Sequence, residues 1–236
     1  MKLPILGNKR LRGRLPALRD WVYMFVGAGI VLIVFGIIYF IHTKQVPIPY
    51  QNKGITASWI PGTVKHWEPT IIQESKKYDL DPNFMAIIMT MESGGDSKAL
   101  SSDNAVGLMQ ITSPTAKDIA SKYLKVPVQT YNLDDPSTNI EFGAAYLAYL
   151  RDQFATYKQG PDWNASVESV AAGYNGGPLA SAHLMEGKGL HDPQTVIYSR
   201  DAFNMWRERN ASDSPTFDRW KERGGINLLN AAKADQ

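Results

Sequence analysis

The chain has no cysteine and only four histidines among its 236 residues. The first absence removes disulfide frameworks and thiolate zinc sites. His42, His66, His183 and His191 form no HExxH pair, and "DSKALSSDNAVG" lacks the acid spacing and central glycine of a calcium loop, so neither a metal nor any other cofactor is expected. Ser93 has no histidine close by in sequence to activate it, which argues against a serine nucleophile. No internal repeat is visible, and no Asn-Gly or Asp-Gly turn joins strongly alternating runs, so sheet content should be small. A large charge surplus is missing too. Six basic residues against Asp20 give the first 20 residues +5, leaving −3 of the net +2 for the rest, which gives no support to a basic surface for nucleic acid.

One long apolar run is present. From Trp21 to Ile41, "WVYMFVGAGIVLIVFGIIYFI" carries no charge, and about 20 such residues suffice for a helix to cross a bilayer. Trp21, Tyr23 and Tyr39 stand near its ends, where aromatic belts lie. Lys2, Lys9, Arg10, Arg12, Arg14 and Arg19 precede it and only Lys44 and Lys53 follow closely, which puts the N-terminus inside. The run exceeds the apolar core of a cleaved signal peptide, and "FIHTKQVPIPY" offers no small-x-small cleavage site. The expectation is a basic cytoplasmic tail at 1–20, an uncleaved signal anchor at 21–43 in the cytoplasmic membrane, and an extracytoplasmic remainder.

Residues 44–66, with three prolines and two glycines and no clear period, suit an extended linker. Thereafter an acid or serine followed by proline recurs. Asp81-Pro82, Ser113-Pro114, Asp135-Pro136 and Asp192-Pro193, with Gly177-Pro178 as a weaker case, each predict a helix start, because a proline at the first helical position lacks only an N–H that would have no partner. The longest helix, about 136–158, carries Ile140, Gly143, Leu147, Leu150 and Phe154 on one face, and Val196, Arg200, Phe203 and Trp206 form a similar stripe after Pro193. A mainly α domain over 67–209 is predicted, with strands confined to about 96–112 and a polar tail at 210–236 holding at most one short helix.

Within "FMAIIMTMESGGDSKAL" one carboxylate, Glu92, ends an apolar run in front of two glycines. Gly94-Gly95 is a strong helix stop. Glu92 therefore falls in a last turn, where the helix dipole disfavours an anion, beside the apolar Ile88 and Met91; both effects raise a carboxyl pKa. A carboxylic acid still protonated near neutrality is what general-acid cleavage of a glycosidic bond requires. A solvated glutamate at a frayed helix end has the same local sequence.

Downstream stand "GLMQI", Gly107 to Ile111, and "AAGYNGG", Ala171 to Gly177. In that order after Glu92-Ser93, these segments resemble the goose-type lysozyme-like (SLT family) lytic transglycosylases of bacterial cell walls, over about residues 68–205. The resemblance implies an α+β lysozyme-like fold with a small β region, Glu92 as catalytic acid and base, and a substrate groove involving Ser93, Gly107, Leu108, Met109, Gln110, Tyr174 and Asn175. It also implies that Tyr198, in "QTVIYSRDAF", hydrogen-bonds the glutamate. Gln194-Thr195 stands where that family often has Glu-Thr, and Gly173 where alanine is commoner. The implied substrate is the peptidoglycan glycan strand, cut between N-acetylmuramic acid and N-acetylglucosamine. Two alternatives stay open: a lysozyme-like hydrolase with Asp96 or Asp103 positioning water, and a non-catalytic wall-binding component. General wall remodelling and service to a secretion, conjugation or phage-derived apparatus are equally compatible with the sequence.

Overall fold

Capping side chains and prolines open most of the helices. The structure, a computed structural model, describes residues 54–127, 130–154 and 164–234. Two short helices come first, α1 (Gly62–Lys65) and α2 (Glu68–Tyr78). The Asp81 carboxylate then accepts from the backbone of Asn83 and Phe84 at 2.7 and 3.4 Å and starts α3 (Pro82–Ser93). α4 (Ser113–Ile119) is capped by Thr112, one residue ahead of the expected Ser113, and runs into a π-helical turn, Ala120–Leu124. Asp135 accepts from Thr138 N at 2.8 Å at the head of α5 (Pro136–Phe154). α6 (Asn164–Gly176) and α7 (Pro178–Met185) meet at Gly177, and Asp192 caps α8 (Pro193–Glu208).

At the centre lies α3, where Phe84 to Met89 have no exposed surface. It packs against α1, α2, α8 and α10 (Ile226–Ala234), so it is apolar all round as a fully enclosed helix must be. Each of its large side chains contributes about 1.5–3 kcal/mol by leaving water. Strand content among the described residues is limited to two isolated bridges, Leu100 with Val106 and Val106 with Ile111, inside the predicted window. The fold is thus mainly helical with little strand. Among the described residues no helix is long and apolar enough to cross a membrane, and the span expected at 21–43 lies outside them.

Three expectations need correction. Residues 54–66, read as linker, include Ala57, Ile60 and Val64 in the core, and the backbone of Thr56 and Ala57 donates to Asn83 Oδ1 at 2.8 and 3.0 Å. After Asn210 there are two helices rather than at most one: α9 (Pro215–Trp220), capped by Ser214, and α10, joined by a π-helical turn, Lys221–Gly225. Phe217, Trp220 and Leu229 bury themselves in the same core. Ser214-Pro215 is the very start signal seen elsewhere, masked by its polar surroundings. On α8 the buried stripe is Thr195, Ser199, Ala202 and Trp206, with Met205. Arg200 is exposed, because small residues, not large apolar ones, let α8 lie close to α6.

Gly94 and Gly95 show the same close approach at its limit. A side chain at Gly95 (φ +93°) would stand 2.6 Å from the Thr63 backbone, whereas one at Gly187 (φ +68°) would meet nothing within 4 Å. Urea denaturation should therefore show Gly95→Ala losing roughly 2–4 kcal/mol and Gly187→Ala only about 1 kcal/mol.

Candidate active site

α3 delivers its last turn to a surface cleft. Gly94 (φ +63°) is the left-handed C-cap, and its Cα lies so close to Leu228 that an added Cβ would be 2.9 Å from that residue's backbone carbon. Thr63 Oγ1 donates to the Gly94 carbonyl at 2.6 Å. With the turn held on both sides, Glu92 leaves the core at one defined point.

Glu92 is partly buried, and Tyr198 from α8 donates its hydroxyl to Glu92 Oε1 at 2.5 Å. Burial pushes the carboxyl up from 4.5 to about 7, while the Tyr198 hydrogen bond pulls the other way by favouring the charged form. Since Oε1 accepts from the phenol, the neutral acid carries its proton on the other oxygen. Tyr174 lies near enough for its hydroxyl to be held well above the usual range, by burial first and by Glu92 second.

The cleft has a volume of about 360 Å³ and its wall includes Glu92, Gln110, Tyr146, Tyr174 and Asn175, with Ser101, Asp103 and Thr115 on the rim. An adjoining cavity of about 550 Å³ shares Asp103 and Asn175 with it, and a smaller one of about 170 Å³ shares Thr115 and Tyr146. Gln110, at φ +46°, donates from Nε2 to the carbonyls of Ala99 and Gly107 at 3.1 and 3.0 Å. Those two bonds use both amide hydrogens, so what Gln110 offers a ligand is its carbonyl oxygen.

Not every expected residue faces the cleft. Ser93, Leu108 and Met109 are wholly buried. Ser93 Oγ donates to the Leu108 carbonyl at 2.8 Å and accepts from Gly95 N at 3.1 Å, which ties the end of α3 to the 107–110 turn from beneath. Gly107 is buried at φ +73°, and a Cβ there would strike the Asn139 side chain at 2.5 Å. These four residues hold the cleft floor in place rather than lining the cleft. Tyr174 does both: it lines the wall and donates to the Met109 carbonyl at 2.8 Å.

Two positions absent from the sequence reading complete the arrangement. Asn139 on α5 is buried, accepts from Met109 N at 2.8 Å and donates to the carbonyls of Val106 and Leu133 at 2.9 and 3.0 Å. A polar residue set among Ile140 and Gly143 on an apolar face was the available signal, since a buried amide needs partners. Tyr146 packs its ring 5.3 Å from that of Tyr174 and donates to the Gly173 carbonyl at 3.2 Å. Gly173 itself has no room for the commoner alanine: a Cβ would lie 2.0 Å from Ser181 Oγ. Of the two acids weighed beside Glu92, Asp103 is on the cleft rim, while Asp96 accepts from Lys98 N at 2.8 Å in its own turn.

The sequence profile described as "Transglycosylase SLT domain" matches residues 69–194, more than half of the chain. The chain belongs to the transglycosylase SLT family. It is 32% identical over 130 residues to the membrane-bound lytic murein transglycosylase E of Buchnera aphidicola subsp. Acyrthosiphon pisum, covering 54% of this chain and 58% of that protein. It is 32% identical over 133 residues to the membrane-bound lytic murein transglycosylase C of Actinobacillus pleuropneumoniae serotype 5b, covering 55% and 36%. An endo-type membrane-bound lytic murein transglycosylase A of Enterobacter sp. is 36% identical over 103 residues, covering 43% and 51%. The chain thus spans 36–58% of the length of these relatives. A solved inactive mutant of the lytic transglycosylase Slt from Pseudomonas aeruginosa is 25% identical, with a TM-score of 0.48 over 63% of this chain and 25% of that one. The SLT match includes Glu92, Gln110, Tyr174 and Asn175 but stops short of Tyr198 and of α9 and α10.

Because burial pushes the Glu92 carboxyl up from 4.5 to about 7, folding binds its proton more tightly. The stability this confers is fully present below pH 4.5 and is lost as the pH rises to 7. Glu92→Gln, which stays neutral, should gain on the order of 3 kcal/mol over the native chain between pH 4 and pH 8 in urea titrations. Tyr198→Phe should move the Glu92 titration upward, as read by carboxyl carbon NMR.

Proposed function

We propose that this SLT-family protein is a peptidoglycan lytic transglycosylase in which Glu92 is both acid and base. The observation that carries the reading is a partly buried carboxyl, pushed up to about 7 by burial, that is open to a cleft and hydrogen-bonded by one phenol. Such a group is protonated often enough at neutral pH to act as acid and ionises readily enough to act as base. In the first step Glu92 gives its proton to the oxygen joining N-acetylmuramic acid to N-acetylglucosamine. The C1–O bond breaks and the acetamido oxygen of the muramic residue supports the developing cation. Glu92, now a carboxylate and stabilised by the Tyr198 hydroxyl, takes the proton of the muramic C6 hydroxyl. The C6 oxygen bonds to C1 and closes a 1,6-anhydro ring, with no water consumed. Gln110, Tyr174 and Asn175 would hold the sugar. The names of the curated relatives support this reading, and with the apolar run at 21–41 they also support a membrane-held protein working on the wall outside.

Asp103 on the same rim favours one competing account, hydrolysis with that carboxylate positioning water. Mass spectrometry of muropeptides released from purified sacculi by the full chain separates the two. Anhydro-muropeptides should appear, and Glu92→Gln should release at least about 100-fold less while keeping its fold. Reducing ends in their place would establish hydrolysis, and wall binding without products would establish a binding component.

A further inference from the structure

The hydrogen bonds behind Asn175 determine which end of its amide the cleft receives. Thr195 Oγ1 lies 2.9 Å from Asn175 Oδ1 and 2.7 Å from Asp192 Oδ2. A hydroxyl has one proton, and both of these oxygens are acceptors. Asp192 has the stronger claim, because a bond to a carboxylate is charge-assisted. Its carboxyl is held below the usual range by the Thr195 hydroxyl and then by the Thr195 backbone amide, so it stays ionised wherever the protein would work. With its proton committed to Asp192, the Thr195 oxygen offers Asn175 lone pairs alone. Those lone pairs are satisfied only by the NH2 end of the amide.

We propose that Asp192 and Thr195 are positioning residues that turn the Asn175 amide so that NH2 faces Thr195 and the carbonyl oxygen faces the cleft, to accept the acetamido N–H of the muramic residue. The inference rests on the transglycosylase reading for its chemistry, though not for its geometry. In that chemistry the acetamido oxygen must donate electron density to C1. An acceptor at the acetamido N–H pushes density towards that oxygen, whereas an NH2 group aimed at the oxygen would withdraw it. Gln110, whose two amide hydrogens are already used, likewise offers the cleft an acceptor. The packing around Thr195 is built for this contact. Thr195 is 3% exposed, and a Cβ on Gly176 would come within 2.8 Å of its methyl and 2.9 Å of its hydroxyl. The glycine after Asn175 is what lets Thr195 reach it.

Asp192 also caps α8, so a purely structural role must be separated from a positioning one. Thr195→Val keeps the shape and removes the hydroxyl; Thr195→Ser restores it; Asp192→Asn keeps a good capping oxygen and removes the charge. For anhydro-muropeptide release by the full chain, Thr195→Val and Asp192→Asn should each lower kcat about tenfold with KM within about twofold, and Thr195→Ser should stay within about threefold of the native rate. An unchanged kcat in Thr195→Val, a Thr195→Ser as slow as Thr195→Val, or losses that merely follow Tm would overturn the proposal. A second readout needs no activity. With asparagine-labelled chain, the Asn175 NH2 protons should show a strong nuclear Overhauser effect to the Thr195 methyl, and its absence would overturn the proposal. If the native chain releases no anhydro products while that effect is present, it is the transglycosylase reading that fails and not the geometry.

Discussion

Everything at the site depends on how a fully enclosed helix comes to an end. α3 runs through the core with apolar residues on every side, and its first polar side chain open to the cleft is Glu92. Immediately beyond, Gly94 and Gly95 adopt positive φ while the backbones of Leu228 and Thr63 press against them. Side chains at either position would force those segments apart. The turn is therefore clamped from two directions by segments far from it in sequence, and the carboxyl has little freedom in where it emerges. Ser93 anchors the same turn to the cleft floor through the Leu108 carbonyl.

The chemistry follows from an opposition of two effects on that carboxyl. Burial favours the neutral acid, and the Tyr198 hydroxyl favours the anion. Burial wins, but by an amount that leaves the group near neutrality, where it can serve in both protonation states. The surrounding amides are constrained with similar economy. Gln110 has spent its donors on backbone carbonyls, and Asn175 is held from behind by a threonine and an aspartate. Gln110 thus offers the cleft a carbonyl oxygen, and in the proposed orientation Asn175 does the same, beside the proton of Glu92 and the hydroxyls of Ser101 and Thr115.

Much of this architecture could be read along the chain. Proline after a capping residue marked the starts of α3, α4, α5 and α8, and Gly94-Gly95 marked the stop that places Glu92. The readings that failed share a cause. Ser93, Leu108 and Met109 were drawn to the cleft by their place in short motifs, yet a motif does not say which way its side chains point. Of the expected α8 stripe only Trp206 is buried; Thr195, Ser199 and Ala202 join it and Met205 on the buried face, because close helix approach selects for small volume. The C-terminal helices looked polar because their few core residues, Phe217, Trp220 and Leu229, are spread among charged ones.

By itself the sequence determined the helical character, the starts of α3, α4, α5 and α8 to within a residue, and the isolation of one carboxyl at the end of an apolar run, since capping, proline geometry and hydrophobic period act over a few residues. Only the tertiary structure decided that Tyr198 meets that carboxyl from 106 positions away, that Asn139 clamps the cleft floor, and that Thr195 stands behind Asn175. Those contacts join α3 to α8, α6 to α8, and α5 to the turn at Val106 and Met109. They depend on how closely separate helices approach, which is set by glycines and small side chains acting together across the core and is not encoded in any one stretch of chain.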